Sequence, residues 1–147
     1  MNTAALVARN ATASHHTGQP VSTLVSGGSF SSSVLANVSN EEFKQALECS
    51  LVQSGLFKST GSGGCQVAAS IISIKQPLIG ISMSVSMQVS YEVKRGNSVI
   101  WSRVIQSTYK APPSEALIGA VRVRKATEGA VRENIANFIR ALDEKSL

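Results

Sequence analysis

Residues 80 to 94 read Gly80-Ile-Ser-Met-Ser-Val-Ser-Met-Gln-Val-Ser-Tyr-Glu-Val-Lys94, and this stretch decides the fold. Ile81, Met83, Val85, Met87, Val89, Tyr91 and Val93 hold the odd positions, while Ser82, Ser84, Ser86, Gln88, Ser90, Glu92 and Lys94 hold the even ones. A strict period of two gives a strand one buried and one wetted face. A 3.6-residue repeat would scatter the same apolar groups around a helix. The rest of the chain is expected to gather over that apolar stripe.

Working outward, Arg95-Gly96-Asn97 makes a tight turn into a strand over Val99 to Lys110, which Ala111-Pro112-Pro113 ends. The phase of that strand shifts between Trp101 and Val104, which suggests a bulge. On the other side, Gln76 to Gly80 breaks an earlier strand, Cys65 to Lys75, apolar on both faces around Ile71, Ile72 and Ile74. Before it, Ser39-Asn40-Glu41-Glu42 fits a capping box and opens a helix with Phe43, Ala46, Leu47 and Leu51 on one face and Gly55 at its stop. A last helical pattern runs from about Ile118 to Lys145, with Val121, Ala130, Val131, Ile135, Phe138, Ile139 and Leu142 inward. Gly119 and Gly129 interrupt it, so its first half reads as loop or turn. Val21 to Val25 reads as a short strand, and residues 29 to 38 as an edge strand or cover.

The expected architecture is therefore α+β, a two-layer sandwich of helix, three-stranded antiparallel sheet and helix, with room for an extra edge strand. Both helices should cover the odd-numbered face of the central strand. Residues 1–28, rich in Ala, Thr, Ser and Gly without periodicity, read as a flexible N-terminal tail. Residues 29–147 read as a single α+β domain.

The totals agree with a globular protein: 147 residues, 43% hydrophobic and 16% charged. A net charge of +5 allows attraction to nucleic acid or anionic membranes, but only 5% aromatics counts against binding by base stacking. No apolar run reaches the ~18 residues of a membrane span. The stretch from Met1 to Arg9 is too short and too weakly apolar for a signal peptide. The chain reads as cytosolic, or as a mature part without its leader.

Few residues offer chemistry. Beyond the tail the chain has no histidine, and its one aspartate is Asp143. Histidine-activated nucleophiles, catalytic zinc and paired carboxylates are therefore not expected, nor is any cofactor. His15-His16 offers two ligands where structural zinc wants four, and reads as solvated. Thr60 to Gly64 resembles a phosphate loop but lacks the Gly-Lys-Ser/Thr that follows one, and leads into a strand. Cys49 and Cys65, without a CxxC, favour a structural disulfide closing about 15 residues, a constraint of roughly 3 kcal/mol. Arg122, Arg124, Lys125 and Arg132 form a candidate anion-binding cluster, partly explained by helical pairing with Glu128. The serine row Ser82, Ser84, Ser86 and Ser90 is a candidate partner surface: small hydroxyls make a flat, weakly charged sheet face that proteins usually cover.

Several stretches together resemble a family of small, uncharacterised lipoprotein-like proteins of Gram-negative bacteria. They are Val25-Ser26-Gly27-Gly28; Phe43 with Ala46-Leu47, Ser50-Leu51 and Ser54-Gly55-Leu56; Gln76-Pro77 with Gly80; Val89-Ser90-Tyr91; and Ala126 to Ile135. The element order is also similar to periplasmic lipoproteins that assist lipid transport. The resemblance implies a periplasmic location, with outer-membrane anchoring in a full-length precursor through a lipid group that this sequence does not carry. Together with the absence of catalytic groups and the expected disulfide, the resemblance points to a non-enzymatic role with an envelope protein or a lipid as partner. The alternative is a basic nucleic-acid-binding α+β module, for which the charge is the sole support.

Overall fold

The computed structural model describes residues 3–27, 38–59, 61, 63–75, 83–111 and 119–145. In chain order the elements are α1 (Thr3–Leu6), β1 (Val21–Ser26), α2 (Asn40–Gln53), β2 (Cys65–Lys75), β3 (Met83–Arg95), β4 (Ser98–Ala111) and α3 (Gly119–Glu144). The alternating stretch is β3. Val85, Met87, Val89, Tyr91 and Val93 are buried, and the even-numbered residues from Ser84 to Lys94 are half-buried. Residues 80–82 lie outside the described part. β2 and β4 flank β3 antiparallel, with Val67 opposite Val93 and Val89 opposite Ile105. Gly96, at φ +63°, supplies the left-handed residue of the β3–β4 turn.

The sheet has four strands in the order β1-β2-β3-β4, and it is mixed rather than antiparallel throughout. β1 pairs with β2 in parallel, Val21 beside Cys65 and Val25 beside Ala69. A parallel pair cannot be joined by a hairpin, and α2 lies in the crossover between the two strands. The expected short strand at Val21 thus completes a β-α-β unit at the edge of the three-stranded meander.

Two irregularities break the alternation. In β2 the register shifts between Ile71 and Ser73, leaving Ile72 as an exposed bulge residue. That shift explains why apolar residues crowd both faces there. In β4 the shift lies one step earlier than the sequence suggested, at Ile100, where Trp101 pairs with Val93 and Val99 with Lys94. From Trp101 onward the alternation is unbroken. Arg103 occupies an inward register position yet is exposed, with its guanidinium 5.5 Å from the Trp101 ring centroid. An arginine at that position imitates a change of phase.

The helices form as their ends dictate. Ser39 Oγ accepts from the Glu42 N–H at 3.1 Å and the Ser39 N–H donates to Glu42 Oε1 at 3.0 Å, a complete capping box on α2. Gly55, at φ +86°, follows the helix end. α3 covers β3 and β4, α2 covers β1, and the helices touch each other. α3 continues through Gly129 because that glycine makes room. A Cβ there would overlap the Tyr109 ring of β4. The N-terminal half expected as loop is helix from Gly119, and its inward valine is Val123, Val121 being half-buried.

Where α3 crosses the sheet, the contact is aromatic and then polar. Tyr91 and Phe138 stack at 3.9 Å with a 3° interplanar angle, and Trp101 tilts against Phe138 at 5.4 Å. Burial pushes the Tyr91 phenol well above its ordinary pKa, so it is a donor, and it donates to Asn134 Oδ1 at 2.7 Å. Asn134 Nδ2 reaches Ile105 O at 3.0 Å, Ser107 Oγ at 3.1 Å and Met87 O at 3.3 Å, and Ser107 Oγ donates to Ala130 O at 2.8 Å. Every member of this buried network has partners, so it specifies one docking of α3 on the sheet.

The stretch expected to be a flexible tail is packed along residues 3–27. Leu6, Val7, Ala8, Ala11 and Ala13 are buried. The Ala8 N–H donates to Ser50 Oγ at 2.9 Å, Ala13 N–H to Ser54 O at 2.9 Å, and Thr17 N–H to Leu56 O at 3.0 Å. Lys58 N–H donates to Gln19 O at 2.8 Å and Cys65 N–H to Pro20 O at 3.1 Å. The segment carried no signal of burial because its core residues, Leu6, Val7, Ala8, Ala11 and Ala13, follow neither a helical nor a strand period, and backbone hydrogen bonds fix the rest. The expected edge strand at 29–38 lies outside the described residues except for Val38, which is buried.

Candidate functional site

The sheet has one face under the helices and one facing outward. Register sets the outer rows. Leu24 of β1 lies beside Ala68, Glu92 and Ser102; Ser26 lies beside Ser70, Ser90 and Val104. Ser73 lies beside Gln88 and Gln106, and Lys75 beside Ser86 and Thr108. Ser84, Ser86 and Ser90 of the expected serine row fall on this face; Ser82 lies outside the described residues. Ser86 Oγ and Thr108 Oγ1 are 3.1 Å apart, so the hydroxyls bond to each other across strands.

What the sequence did not single out is the apolar part of this face. Four large hydrophobic residues are exposed among those described, Leu24, Ile72, Val99 and Val104, each 45–57% exposed. Register puts Leu24, Val99 and Val104 on the outer face, and Ile72 is the β2 bulge. Glu92 and Lys94 pair with each other at 3.5 Å, while exposed Lys75 and Lys110 lie at the opposite end of the face. The result is an uncovered surface with hydroxyls at its middle, scattered apolar side chains and a basic end.

The four basic residues of α3 differ in exposure. Arg122 is buried, donating to Ala111 O at 3.2 Å, and Arg124 is exposed. Lys125 and Arg132 are half-buried. Arg132 Nη1 donates to Ala5 O at 2.8 Å, and its guanidinium lies 5.6 Å from the Tyr109 ring centroid.

The expected disulfide is absent. Cys49 and Cys65 are both free thiols, Cys49 exposed and Cys65 buried. Each has its own partner: Gln53 Nε2 donates to Cys49 Sγ at 3.3 Å, and Cys65 Sγ donates to Gln19 Oε1 at 3.2 Å. Cys49 sits on the outward side of α2, whereas Cys65 begins a core strand under Gln19, so the two sulfurs face different surroundings. His15 and His16 are not free in solvent either. His15 Nδ1 is 3.0 Å from Asp143 Oδ1, and His16 Nδ1 is 2.6 Å from Gly55 O. Among the described residues no three His, Cys, Asp or Glu side chains converge as metal ligands would.

A concave feature appears because the N-terminal segment is packed. A cleft of about 340 Å³ opens between that segment and α3. Ala4, Ala5 and Val7 form its apolar wall, and Arg9, Asn10, Arg132 and Glu133 its polar one. The Arg132–Ala5 hydrogen bond joins two of the lining residues and anchors the guanidinium.

No family model matches the chain, and no curated protein matches it by sequence. Solved structures do match in fold. A Xanthomonas campestris protein of family DUF330 superposes with a TM-score of 0.66 at 9% identity, over 89% of this chain and 88% of that one. A hypothetical protein of Chlamydia trachomatis gives 0.60 at 14% identity, over 88% and 97%. A minor lipoprotein of Acinetobacter baumannii gives 0.50 at 10% identity, over 84% and 91%. These neighbours, a DUF330 protein and a lipoprotein of Gram-negative bacteria among them, agree with the lipoprotein-like resemblance read from the sequence. At such identities what they share with this chain is the fold.

Proposed function

We propose that this protein is a non-enzymatic component of a Gram-negative cell envelope, placed in the periplasm, that docks on a partner protein through the outer face of its sheet. The observation that carries the reading is that the exposed large hydrophobic residues share the uncovered face, Leu24 on β1 and Val99 and Val104 on β4, with Ile72 at the β2 bulge. Apolar side chains exposed on the same face of a sheet, with hydroxyls between them, suit contact with a partner. Hydroxyls interleaved with apolar side chains suit another protein's surface; a lipid chain needs a groove that encloses it. Its occupant presents apolar side chains to Leu24, Val99 and Val104 and carboxylates to the end where Lys75 and Lys110 lie. The lipoprotein among the fold neighbours supports the envelope setting, and no helix among the described residues is long and apolar enough to cross a membrane.

The test is a photo-cross-linking amino acid at Ser90, in the full-length protein within its native host. The expected result is a cross-link to one envelope protein, and binding of that purified protein weakened about tenfold or more by Leu24→Asp with Val104→Asp. Cross-links only to lipid or to a second copy, or purified binding unchanged by the double substitution, would overturn the reading.

A further inference from the structure

We propose that the cleft between the N-terminal segment and α3 binds a small amino dicarboxylate, a ligand with two carboxylates and one ammonium group. This site is separate from the sheet face and does not depend on the docking reading. The cleft brings two cations and one anion together: Arg9 from the segment, Arg132 and Glu133 from α3. Among the described residues Glu133 forms no ion pair with either arginine, and neither the Arg9 guanidinium nor the Glu133 carboxylate has a hydrogen-bond partner, so both stay open to a ligand. Lining one cleft, these groups can meet opposite charges on a single small ligand.

The arithmetic of charge sets the ligand class. Two guanidinium groups and one carboxylate leave the wall at +1, which a ligand of net charge −1 neutralises. Each planar guanidinium offers a fork that suits a carboxylate. The Glu133 carboxylate accepts from an ammonium, and the Asn10 amide adds a donor and an acceptor beside them. The cleft volume of about 340 Å³ lies at the lower end of the roughly 300–1,000 Å³ of small-molecule sites, which fits an amino acid rather than a larger cofactor. Arg132 is held in advance, since one of its nitrogens is occupied by Ala5 O and its face lies over Tyr109. A guanidinium that is already ordered loses less freedom on binding than a free one.

The experiment is a calorimetric or NMR titration of the whole protein at neutral pH and low salt with L-aspartate, L-glutamate and L-2-aminoadipate, whose carboxylates are spaced progressively further apart. Glutarate, which lacks the ammonium, is the control. Saturable binding of one of the three amino acids at millimolar concentration or below is expected, with glutarate about tenfold weaker, the worth of one charge-assisted contact. Arg9→Ala weakens the amino acid about tenfold, and Glu133→Gln abolishes its advantage over glutarate. Both residues sit at the surface of the cleft, and an unchanged circular dichroism spectrum shows that the variants fold. No saturable binding by any of the three, equal binding of glutarate, or affinity unmoved by both variants would each overturn the proposal.

Discussion

Asp143, the sole aspartate of the chain, clasps the backbone of Ser14 and His15 from the last turn of α3. Its carboxylate accepts from the Ser14 N–H at 3.0 and 3.1 Å, from Ser14 Oγ at 2.9 Å and from the His15 N–H at 3.0 Å, with His15 Nδ1 also at 3.0 Å. The Ser14 N–H, opposed by a little desolvation and helped by the Ser14 hydroxyl and by His15, holds this carboxyl well below the usual carboxylate range. A carboxylate 128 residues further along the chain is thus what ties the N-terminal segment to the end of the fold.

That clasp predicts a pH dependence of one sign. A folded-state pKa below the unfolded value contributes stability that is fully present above the ordinary aspartate value of 3.8 and is lost as pH falls below it. Asp143→Ala is expected to cost about 1–3 kcal/mol at pH 7, because it removes several charge-assisted hydrogen bonds from a partly exposed site. Urea titrations at pH 7 and near pH 3 would show the gap between wild type and variant narrowing at the lower pH. Amide exchange would speed up along residues 7–17. A constant gap at both pH values would contradict the clasp.

The Tyr91–Asn134 bond predicts coupled losses. Tyr91→Phe and Asn134→Ala each strand a buried polar group and should cost about 1–3 kcal/mol. Asn134→Ala should cost the more, since it also leaves Met87 O, Ile105 O and Ser107 Oγ without this donor. The double variant should lose clearly less than the sum, a coupling that a denaturation double-mutant cycle measures directly.

Gly129→Ala should destabilise although alanine is the better helix former. Propensity alone would favour alanine by about 0.8–1 kcal/mol. The new Cβ would meet Cγ and Cδ1 at the base of the Tyr109 ring, which cannot swing aside without moving β4. Overpacking of this kind costs about 1–3 kcal/mol. A second change, Tyr109→Ala, should return the propensity gain, so that Gly129→Ala becomes stabilising in that background when followed by thermal melting.

Thiol chemistry separates the two cysteines. Cys49 is exposed and Cys65 is buried under Gln19, so a folded-state titration with a thiol reagent should label Cys49 quickly and Cys65 only on unfolding. Unfolded without reductant, both should react. Failure of either to react would restore the disulfide that sequence spacing suggested.

How much of this was legible follows from where the signals lie. Period-two spacing in residues 80–94, the capping box at Ser39–Glu42 and the helical run that ends the chain are local patterns, and the structure keeps all three where it describes them. Arg103 shows the limit of such reading: an arginine stacked over Trp101 occupies an inward position, and pattern alone took it for a bulge. The disulfide fails for a related reason. Spacing measures the loop between two cysteines, whereas direction decides whether sulfurs meet, and Cys49 looks outward from α2 while Cys65 lies beneath Gln19. Of the surface features, the serines were visible as a row, but Leu24, Val99 and Val104 became neighbours of that row only through strand register.

The amino-acid sequence by itself determined the α+β class, the central strand and its buried face, and the helix that covers it, because periodicity and capping act within a few residues. Only the tertiary structure decided that β1 adds to the sheet in parallel and that residues 3–27 pack against α2 and α3. It alone decided that a cleft opens between that segment and Arg132. Those features rest on backbone hydrogen bonds and on a carboxylate reaching across 128 residues, contacts that leave no period in the sequence because each is made once, between residues that only the fold brings together.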